Sequence, residues 1–471
     1  MTLGSRVGGL VRDIIVGRVF GATAVGSAFA TGFQIPNMFR RLFGEGALSA
    51  AFIPEYTDAE RTSRDEADRL ASLTVYALGL VTGGLTVLIE LALLGVLLLA
   101  PADHDRALSL KLIMVMLPFM PLICVVAVLA GMLQVHGKFA AAASGPVILN
   151  AFMVATGAYF LLTGQLAGPT TAYLFGAATV LSGATQMLWF LRLLRPHVSW
   201  TRSWEAARPR AGRMLRKFVP VAVGLGTLQL NTFLDTLIAM WPLWVGGTIL
   251  GAEYPLDKKS NVILQLTSRL YQFPLGVFGV AVATAAFPLL ARHAKEPEAF
   301  ADTLRRGLRL SLFIGLPATA GLILVRRDAV GVLFGHGRTG WSPEDLARAA
   351  RVLTGFAVGV WAYSVNQVLT RALYAQGDTK TPMKVSLGMI LVNLGLNVGL
   401  IWGLRSWEIR ESGLAWATAS SAVIQTLVLG GVCARMVRRL GAEHALIDGP
   451  TLGAAARVVL ATAGMAGVVL G

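Results

Sequence analysis

Charge is what this chain has least of. Only 14% of its 471 residues are Asp, Glu, Lys or Arg, against roughly a quarter in ordinary soluble domains. So few charges cannot coat a soluble protein of this size, and a mean hydropathy of +0.64 excludes disorder. Cysteine is nearly absent, at 2 residues, which excludes a disulfide-stapled secreted scaffold. Cys124 and Cys433 stand singly in apolar segments and read as packing residues. The 6 histidines include no i,i+4 pair, so a helical metal site is not expected. HExxH, Walker A, GxSxG and CxxC strings are all missing. No nucleotide site is legible, so any pumping must draw on an ion gradient or the membrane potential. Acids are fewer than bases, 26 against 41, for a formal net charge of +15. That surplus suggests nucleic acid, but the hydropathy contradicts it, and no nucleic-acid partner is expected.

What is present is long apolar runs. A helix crossing a bilayer needs roughly 20 mostly apolar residues. Runs of that kind cover 71–100, 107–134, 139–163, 169–191, 214–240, 262–290, 307–325, 349–375, 383–403, 412–434 and 451–471. Two further runs, 3–20 and 26–54, are apolar but carry charges. The expectation is an all-α polytopic membrane protein of about 13 spans, because helices satisfy their own backbone in lipid. Arg6, Arg12, Asp13 and Arg18 interrupt the first run, so it does not read as a cleaved signal. With the N-terminus inside, the inner loops hold about 22 Lys and Arg and the outer loops about 8. The positive-inside rule therefore predicts a cytoplasmic N-terminus.

The most basic stretch, 192–217, follows the sixth span and reads as a solvated cytoplasmic loop that sets topology. It divides the chain into an N-terminal six-helix lobe (1–195), a basic linker (196–212), a C-terminal six-helix lobe (213–440) and an additional helix (441–471). An internal echo agrees with that division. Phe33-Gln34-Ile35-Pro36 resembles Tyr271-Gln272-Phe273-Pro274, and Ala50-Ala51-Phe52-Ile53-Pro54 resembles Ala285-Ala286-Phe287-Pro288, at offsets of 238 and 234. Spans two and eight are equivalent if helices one to six repeat as seven to twelve, the parallel-repeat arrangement of many transporters.

Charges at membrane depth cost at least about 2.5–3.5 kcal/mol each and normally face a cavity or a partner. The N-terminal spans carry Arg6, Arg12, Asp13, Arg18, Arg40, Arg41 and Glu45, and the eighth carries Arg269. Arg12–Asp13 and Arg41–Glu45 read as structural pairs, the latter at i,i+4. The arginines outnumber the acids, and a cavity lined by unpaired guanidinium groups would hold an anion. Guanidinium forks match phosphate oxygens and stay charged, so a phosphate or pyrophosphate is the inferred substrate group. The bland alternative is that Arg6 or Arg18 snorkels to an interface. In the second half, Asp235 is the main interior acid, Asn393 and Asn397 share one helix face at i,i+4, and Thr418 offers a hydroxyl. Two readings stand here: a small monovalent cation on oxygen donors, or helix–helix hydrogen bonding. Glu90 in the third span has no partner visible in the sequence.

Residues 5–13 (Ser-Arg-Val-Gly-Gly-Leu-Val-Arg-Asp), Phe20-Gly21-Ala22 and the string 35–54, IPNMFRRLFGEGALSAAFIP, resemble the MurJ/MviN lipid II flippase family. The likeness continues through Arg269-Leu270, Phe273-Pro274, Gly279-Val280-Ala281 and 373–382. The resemblance implies the fold of multidrug, oligosaccharidyl-lipid and polysaccharide exporters: two six-helix lobes, related by a pseudo-two-fold, in a V around a cationic central cavity. It implies no enzyme but a flippase in the bacterial inner membrane. The substrate would be lipid II, undecaprenyl-pyrophosphate-linked disaccharide pentapeptide, carried from inner to outer leaflet by alternating access for cell-wall synthesis. The implied partners are lipid II, membrane lipids and the cell-wall synthesis machinery. The family's cavity arginines match Arg12, Arg40 and Arg269, with Arg6 a further match. Asp13, Asn37, Arg41 and Glu45 lie in the matched motif. Asp235, Asn393, Asn397 and Thr418 resemble a sodium site of some members, making sodium the one implied coupling ion and no other cofactor.

Three departures stand out. Ser27 and Ser268 occupy positions that are often acidic in the family, which makes the cavity more positive and weakens a proton-coupled scheme. The 241–260 loop is longer than usual. Members have fourteen spans, the last two building a groove for the lipid tail, whereas this chain ends in its thirteenth; either it continues further or the groove is incomplete. The rival functions are a polysaccharide-unit or drug exporter of the same superfamily, a membrane-embedded polyprenyl-phosphate enzyme, and a non-transporting scaffold.

Overall fold

The computed structural model describes residues 2–44, 47–100, 103–164, 168–336, 341–403, 409–441, 443 and 445–470. Side chains are described for all of these except 2–6, 43–44, 47–50, 220–221, 223–225, 227–228 and 470. The described chain is an all-α polytopic membrane protein, and it falls into two compact units. The first comprises Met1–Thr232, Met240–Ile249 and Gly337–Gly340, the second Phe233–Ala239, Leu250–His336 and Trp341–Gly471.

The first unit holds α1 (Thr2–Phe20), α2 (Ala24–Gly44), α3 (Ala47–Thr62), α4 (Arg64–Leu99), α5 (His104–Met116), α6 (Phe119–Val135), α7 (Phe139–Ala142), α8 (Gly145–Thr163), α9 (Pro169–Leu194) and most of α10 (Arg208–Trp244). The second holds α11 (Ser260–Pro274), α12 (Val280–Arg292), α13 (Pro297–Leu324), α14 (Arg326–Phe334), α15 (Pro343–Val358), α16 (Val360–Ala375), α17 (Lys380–Gly403), α18 (Ser412–Leu440) and α19 (Gly449–Leu470). Local chemistry sets several ends. Gly21, at φ 60°, turns the chain between α1 and α2, a conformation that costs glycine nothing. Asp103 caps α5 by accepting from the Arg106 amide at 2.8 Å, and Ser342 with Asp345 forms a capping box on α15.

Among the described residues, 10 helices or helix pairs are long and apolar enough to cross a membrane. They lie on ten of the eleven clear apolar runs; the run 214–240 lies within α10, which also carries Arg213, Arg216 and Lys217. The run 26–54, expected as one span, is two helices, α2 and α3, on either side of residues 45–46. The run 262–290 passes from α11 to α12 through a π-helical turn at Leu275–Gly279, directly after Pro274. A π turn absorbs the carbonyl that proline leaves unpaired without ending the helix.

Packing rather than water exclusion holds helices together in lipid, so small residues decide where they meet. A Cβ on Gly183 would lie 2.7 Å from the Phe119 ring, and one on Gly315 would lie 2.8 Å from the Trp361 backbone. The first unit is centred on Phe20, Phe29, Phe160 and Phe175, all buried, with Phe20 and Phe29 stacked at 4.8 Å. The second is centred on α12, α13, α16 and α18, through Leu304, Val368, Leu369, Leu429 and the buried thiol of Cys433.

The basic stretch 192–217 is not a solvated loop throughout. Its second half is the first turns of α10, where Arg210 binds both Asp58 and Glu66. Lys217 donates to Glu55 at 2.7 Å. The Arg210 hydrogen bond holds the Asp58 carboxyl below the ordinary carboxylate range. These cations therefore join α10 to α3 and α4 as well as biasing topology.

Candidate functional site

Arg12 emerges from α1 two turns before its end and is half-buried, its side chain 13% exposed. Its Nε and Nη2 both donate to Asp13 Oδ1, at 2.9 and 2.7 Å. Its Nη1 donates to Asn150 Oδ1 on α8 at 3.1 Å. The guanidinium carbon stands 5.2 Å from the centre of the Phe33 ring on α2, a cation–π arrangement. The pairing of Arg12 with Asp13 read from the sequence is present: adjacent Asp13 neutralises part of the guanidinium charge and fixes its plane. Asn150 was not singled out in the sequence. Its only sign there was a lone amide in an apolar run, which in membranes usually marks a contact or a site.

Glycine brings α1 and α8 close enough for this. A Cβ on Gly8 would lie 3.2 Å from Asn150 Nδ2, and one on Gly157 would lie 2.1 Å from Ile15 Cγ2. Each contact advances seven residues along both chains, so the two helices run in the same direction. Gly157→Ala is expected to destabilise the first unit by about 1–3 kcal/mol through overpacking. Thermal unfolding in detergent checks this, and Ile15→Ala in the same chain should restore most of the loss; a loss that persists in the double variant would refute the contact.

One helix away, Arg40 Nε donates to Asn37 Oδ1 at 3.1 Å, and Asn37 Nδ2 donates to the Phe33 carbonyl at 2.8 Å. Phe33 therefore sits between the two arginines: its ring lies against Arg12 and its backbone holds the amide that orients Arg40. Arg41 follows on α2, half-buried. The side chain of Arg6, on α1, lies outside the described residues, as does Glu45. Ser27, where an acid is common in the family, is fully buried on α2.

Arg269 belongs to the second unit. On α11 its Nη1 donates to Gln272 Oε1 at 3.3 Å, and Gln272 in turn reaches Ser268 Oγ at 3.5 Å. Ser268 donates to the Gln265 carbonyl at 2.8 Å. A serine at this position orients the amide beside the arginine and adds no negative charge.

The other predicted group in the second unit is brought together. Asn397 Nδ2 donates to Asp235 Oδ1 at 2.6 Å and to Asn393 Oδ1 at 2.9 Å. The Thr418 hydroxyl of α18, which donates to the Leu414 carbonyl at 2.9 Å, lies near the Asp235 carboxylate. Asn393 and Asn397 are almost wholly buried on α17. Two of their atoms, Asn393 Nδ2 and Asn397 Oδ1, have no hydrogen-bond partner. An orphaned buried carbonyl oxygen beside a carboxylate, an amide oxygen and a hydroxyl is the donor chemistry of a hard monovalent cation. It is not that of a transition metal, and among the described residues no group of three His, Cys, Asp or Glu side chains is placed to hold a metal ion. Glu90 is half-buried on α4 and has no partner among the described residues.

A family profile described as Lipid II flippase MurJ matches residues 16–471. A probable lipid II flippase MurJ from Vibrio cholerae is 30% identical over 100% of this chain and 87% of its own length. One from Rickettsia prowazekii is 27% identical over 90% of this chain and 80% of its own. Among solved structures, a lipid II flippase MurJ in an inward closed conformation superposes with a TM-score of 0.73, at 22% identity, covering 98% of this chain and 97% of that one. An inward-facing multidrug resistance MATE transporter of the MOP superfamily superposes at 0.68, with 15% identity over 93% and 96%. These two share the fold.

Proposed function

The chain belongs to the lipid II flippase MurJ family, and on that premise we propose that it carries lipid II from the inner to the outer leaflet of the bacterial inner membrane, in support of peptidoglycan synthesis. It acts as a transporter, with no covalent step on the substrate. The observation that supports this most directly is the pair of oriented arginines on α1 and α2, Arg12 and Arg40, each held by a neighbouring amide or carboxylate. A pre-set guanidinium plane loses little entropy on meeting a pyrophosphate. Arg269, in the second unit, is the third arginine that the family motif assigns to the substrate, and Arg6 and Arg41 add to the positive charge of the first unit. Asp13 has a double role: it orients Arg12, and it keeps the resting charge low enough for the anion to leave again.

The excess of Lys and Arg in the loops assigned to the inside supports a cytoplasmic N-terminus, on the side where the substrate is made. The enzymes that complete and polymerise the precursor are the partners that supply and remove it. Asp235, Asn393, Asn397 and Thr418 are the residues that would hold a sodium ion, which would supply the charge that neutralises Asp235 and a link to the ion gradient.

Complementation tests the activity. Expression of the chain should restore growth to cells depleted of their own lipid II flippase, and purified protein in vesicles should move fluorescent lipid II. Movement of an undecaprenyl-linked polysaccharide unit but not lipid II would point to the exporter reading, and chemical turnover of lipid II to the enzyme reading. The cation site is tested separately, by thermal unfolding in sodium and potassium at equal ionic strength. Sodium should raise the midpoint and potassium should not, with Asp235→Asn weakening the sodium effect at least about tenfold in concentration. A sodium response retained by Asp235→Asn would rule out this site.

A further inference from the structure

On the lateral surface of the first unit, α4, the end of α9 and the segment after it enclose an open groove of about 1010 Å³. Val75, Tyr76, Leu191 and Trp200 provide apolar and aromatic walls, and Arg192 and Arg195 stand at its mouth. Both arginines are exposed, and neither makes a hydrogen bond or ion pair among the described residues. They differ in this from Arg210, Arg213 and Lys217 of the same basic stretch, which are matched to acids.

The groove is built rather than incidental. The segment after α9 doubles back and is fastened along one face of α4. Arg64 Nη2 donates to the Pro196 carbonyl at 2.8 Å, the Thr201 amide donates to Ser72 Oγ at 3.0 Å, and Trp204 packs on Tyr76 with ring centres 5.3 Å apart. Positions 64, 72 and 76 are multiples of four apart, so the strap follows a single ridge of the helix. Trp200 is thereby held over the groove.

Its depth in the membrane follows from the sequence of α4. Residues 77–99 contain one charge, Glu90, and span about 34 Å at the α-helical rise, enough for a hydrocarbon core of roughly 30 Å. The charges of α4 before that stretch end at Arg69. Tyr76 therefore marks the boundary, and α9 leaves its apolar run at Arg192 on the same side. Two tryptophans, a tyrosine and two unmatched arginines at headgroup level, above apolar walls, make a phosphate-plus-acyl recognition surface.

We propose that this groove binds an anionic glycerophospholipid of the adjoining leaflet, with its phosphate on Arg192 and Arg195 and its acyl chains along Val75 and Leu191. This site is separate from the arginines of α1 and α2, and its occupancy does not depend on which lipid they carry.

The test uses the full-length chain in a nonionic detergent, titrated with dihexanoyl phosphatidylglycerol, dihexanoyl phosphatidylcholine or inorganic phosphate. The readout is tryptophan emission, taken as the difference between the chain and its Trp200→Phe variant. Phosphatidylglycerol should give a saturable change that phosphatidylcholine gives only at higher concentration. Arg192→Ala with Arg195→Ala should weaken it about 30-fold, and each single change about fivefold, the factors for one or two interfacial arginines. Arg192→Lys with Arg195→Lys should stay within about threefold, since the interaction is chiefly with the charge. All three positions are exposed, so the fold tolerates these changes. Unchanged affinity in both single variants and the double alanine variant would overturn the site. Saturation by inorganic phosphate at the same concentration as the lipid would assign the groove to a free anion and overturn the lipid.

Discussion

Arg12→Ala is expected to abolish complementation at normal expression and to cut lipid II movement by at least about 30-fold, the lower end of losing one desolvated charge contact at about 2–5 kcal/mol. Two losses combine in that figure. The pyrophosphate loses a guanidinium that Asp13, Asn150 and Phe33 hold in one plane. Asp13 and Asn150 Oδ1 each lose one hydrogen-bond partner in a half-buried site, which lowers stability as well. Arg12→Lys separates the two: it keeps the charge but not the fork, so the protein should be nearly as stable as the parent and still transport poorly. Arg40→Ala and Arg269→Ala should behave like Arg12→Ala in transport, each removing a guanidinium that is hydrogen-bonded to a side-chain amide, that of Asn37 or Gln272. Growth rates in a flippase-depleted strain, set beside unfolding midpoints of the purified variants, read both quantities. Survival of all three alanine variants would sink the site assignment.

The second large effect is one of stability and lies in the second unit. Arg348 on α15 is 3% exposed and meets Glu411, 1% exposed, at 2.8 Å. It also meets Asp257 at 2.7 Å and Ser260 at 3.3 Å, while Asp345 stands 3.9 Å away. One guanidinium thus joins the starts of α11, α15 and α18. Arg348→Ala would strand Glu411 as a buried carboxylate with no cation beside it, whereas Asp345 keeps Lys259 at 3.3 Å, and the expected cost is about 3–5 kcal/mol. Replacing Arg348 and Glu411 together by apolar residues of similar size should cost far less, because that buried pair is then removed whole. Urea or thermal unfolding in detergent distinguishes these outcomes; equal losses in the single and double variants would show that packing, not charge, explains the effect.

The same network predicts a pH response. Burial opposes ionisation of Asp257, but the hydrogen bonds and charge of Arg348 prevail and hold its carboxyl below the ordinary carboxylate range. A group whose folded pKa is depressed stabilises the fold above its unfolded pKa, and that stability is lost as pH falls through the folded value. For Asp257 the loss should therefore begin near pH 4 and deepen below it, and Asp257→Asn should flatten that part of the profile.

Much of the spanning architecture was legible from apolar run length, because a bilayer imposes a length and a polarity on each crossing that local composition must meet. The pairing of Asn393 with Asn397 was legible too, since helical spacing alone puts i and i+4 on one face. Other features were not. Arg210 reads as one more topology-setting cation, and only the return of α10 along α3 and α4 gives it Asp58 and Glu66. Arg348 and Glu411 lie 63 residues apart, in segments with no shared motif, so their pairing had no sequence signal. Asn150, 138 residues from Arg12, was invisible for the same reason.

By itself the sequence determined that this is a helical membrane protein and which arginines fall within its apolar runs, and its motifs pointed to the family. Those properties depend on composition and on short-range spacing, which chain order carries directly. Tertiary structure alone decided which of those charges are matched. Ion pairing depends on which helices lie side by side, and glycines such as Gly8 and Gly157 set that approach at distances the chain order does not encode. The same positive surplus is thereby divided three ways: Arg12 is partly neutralised, Arg210 and Arg348 are structural, and Arg192 and Arg195 face outward unmatched.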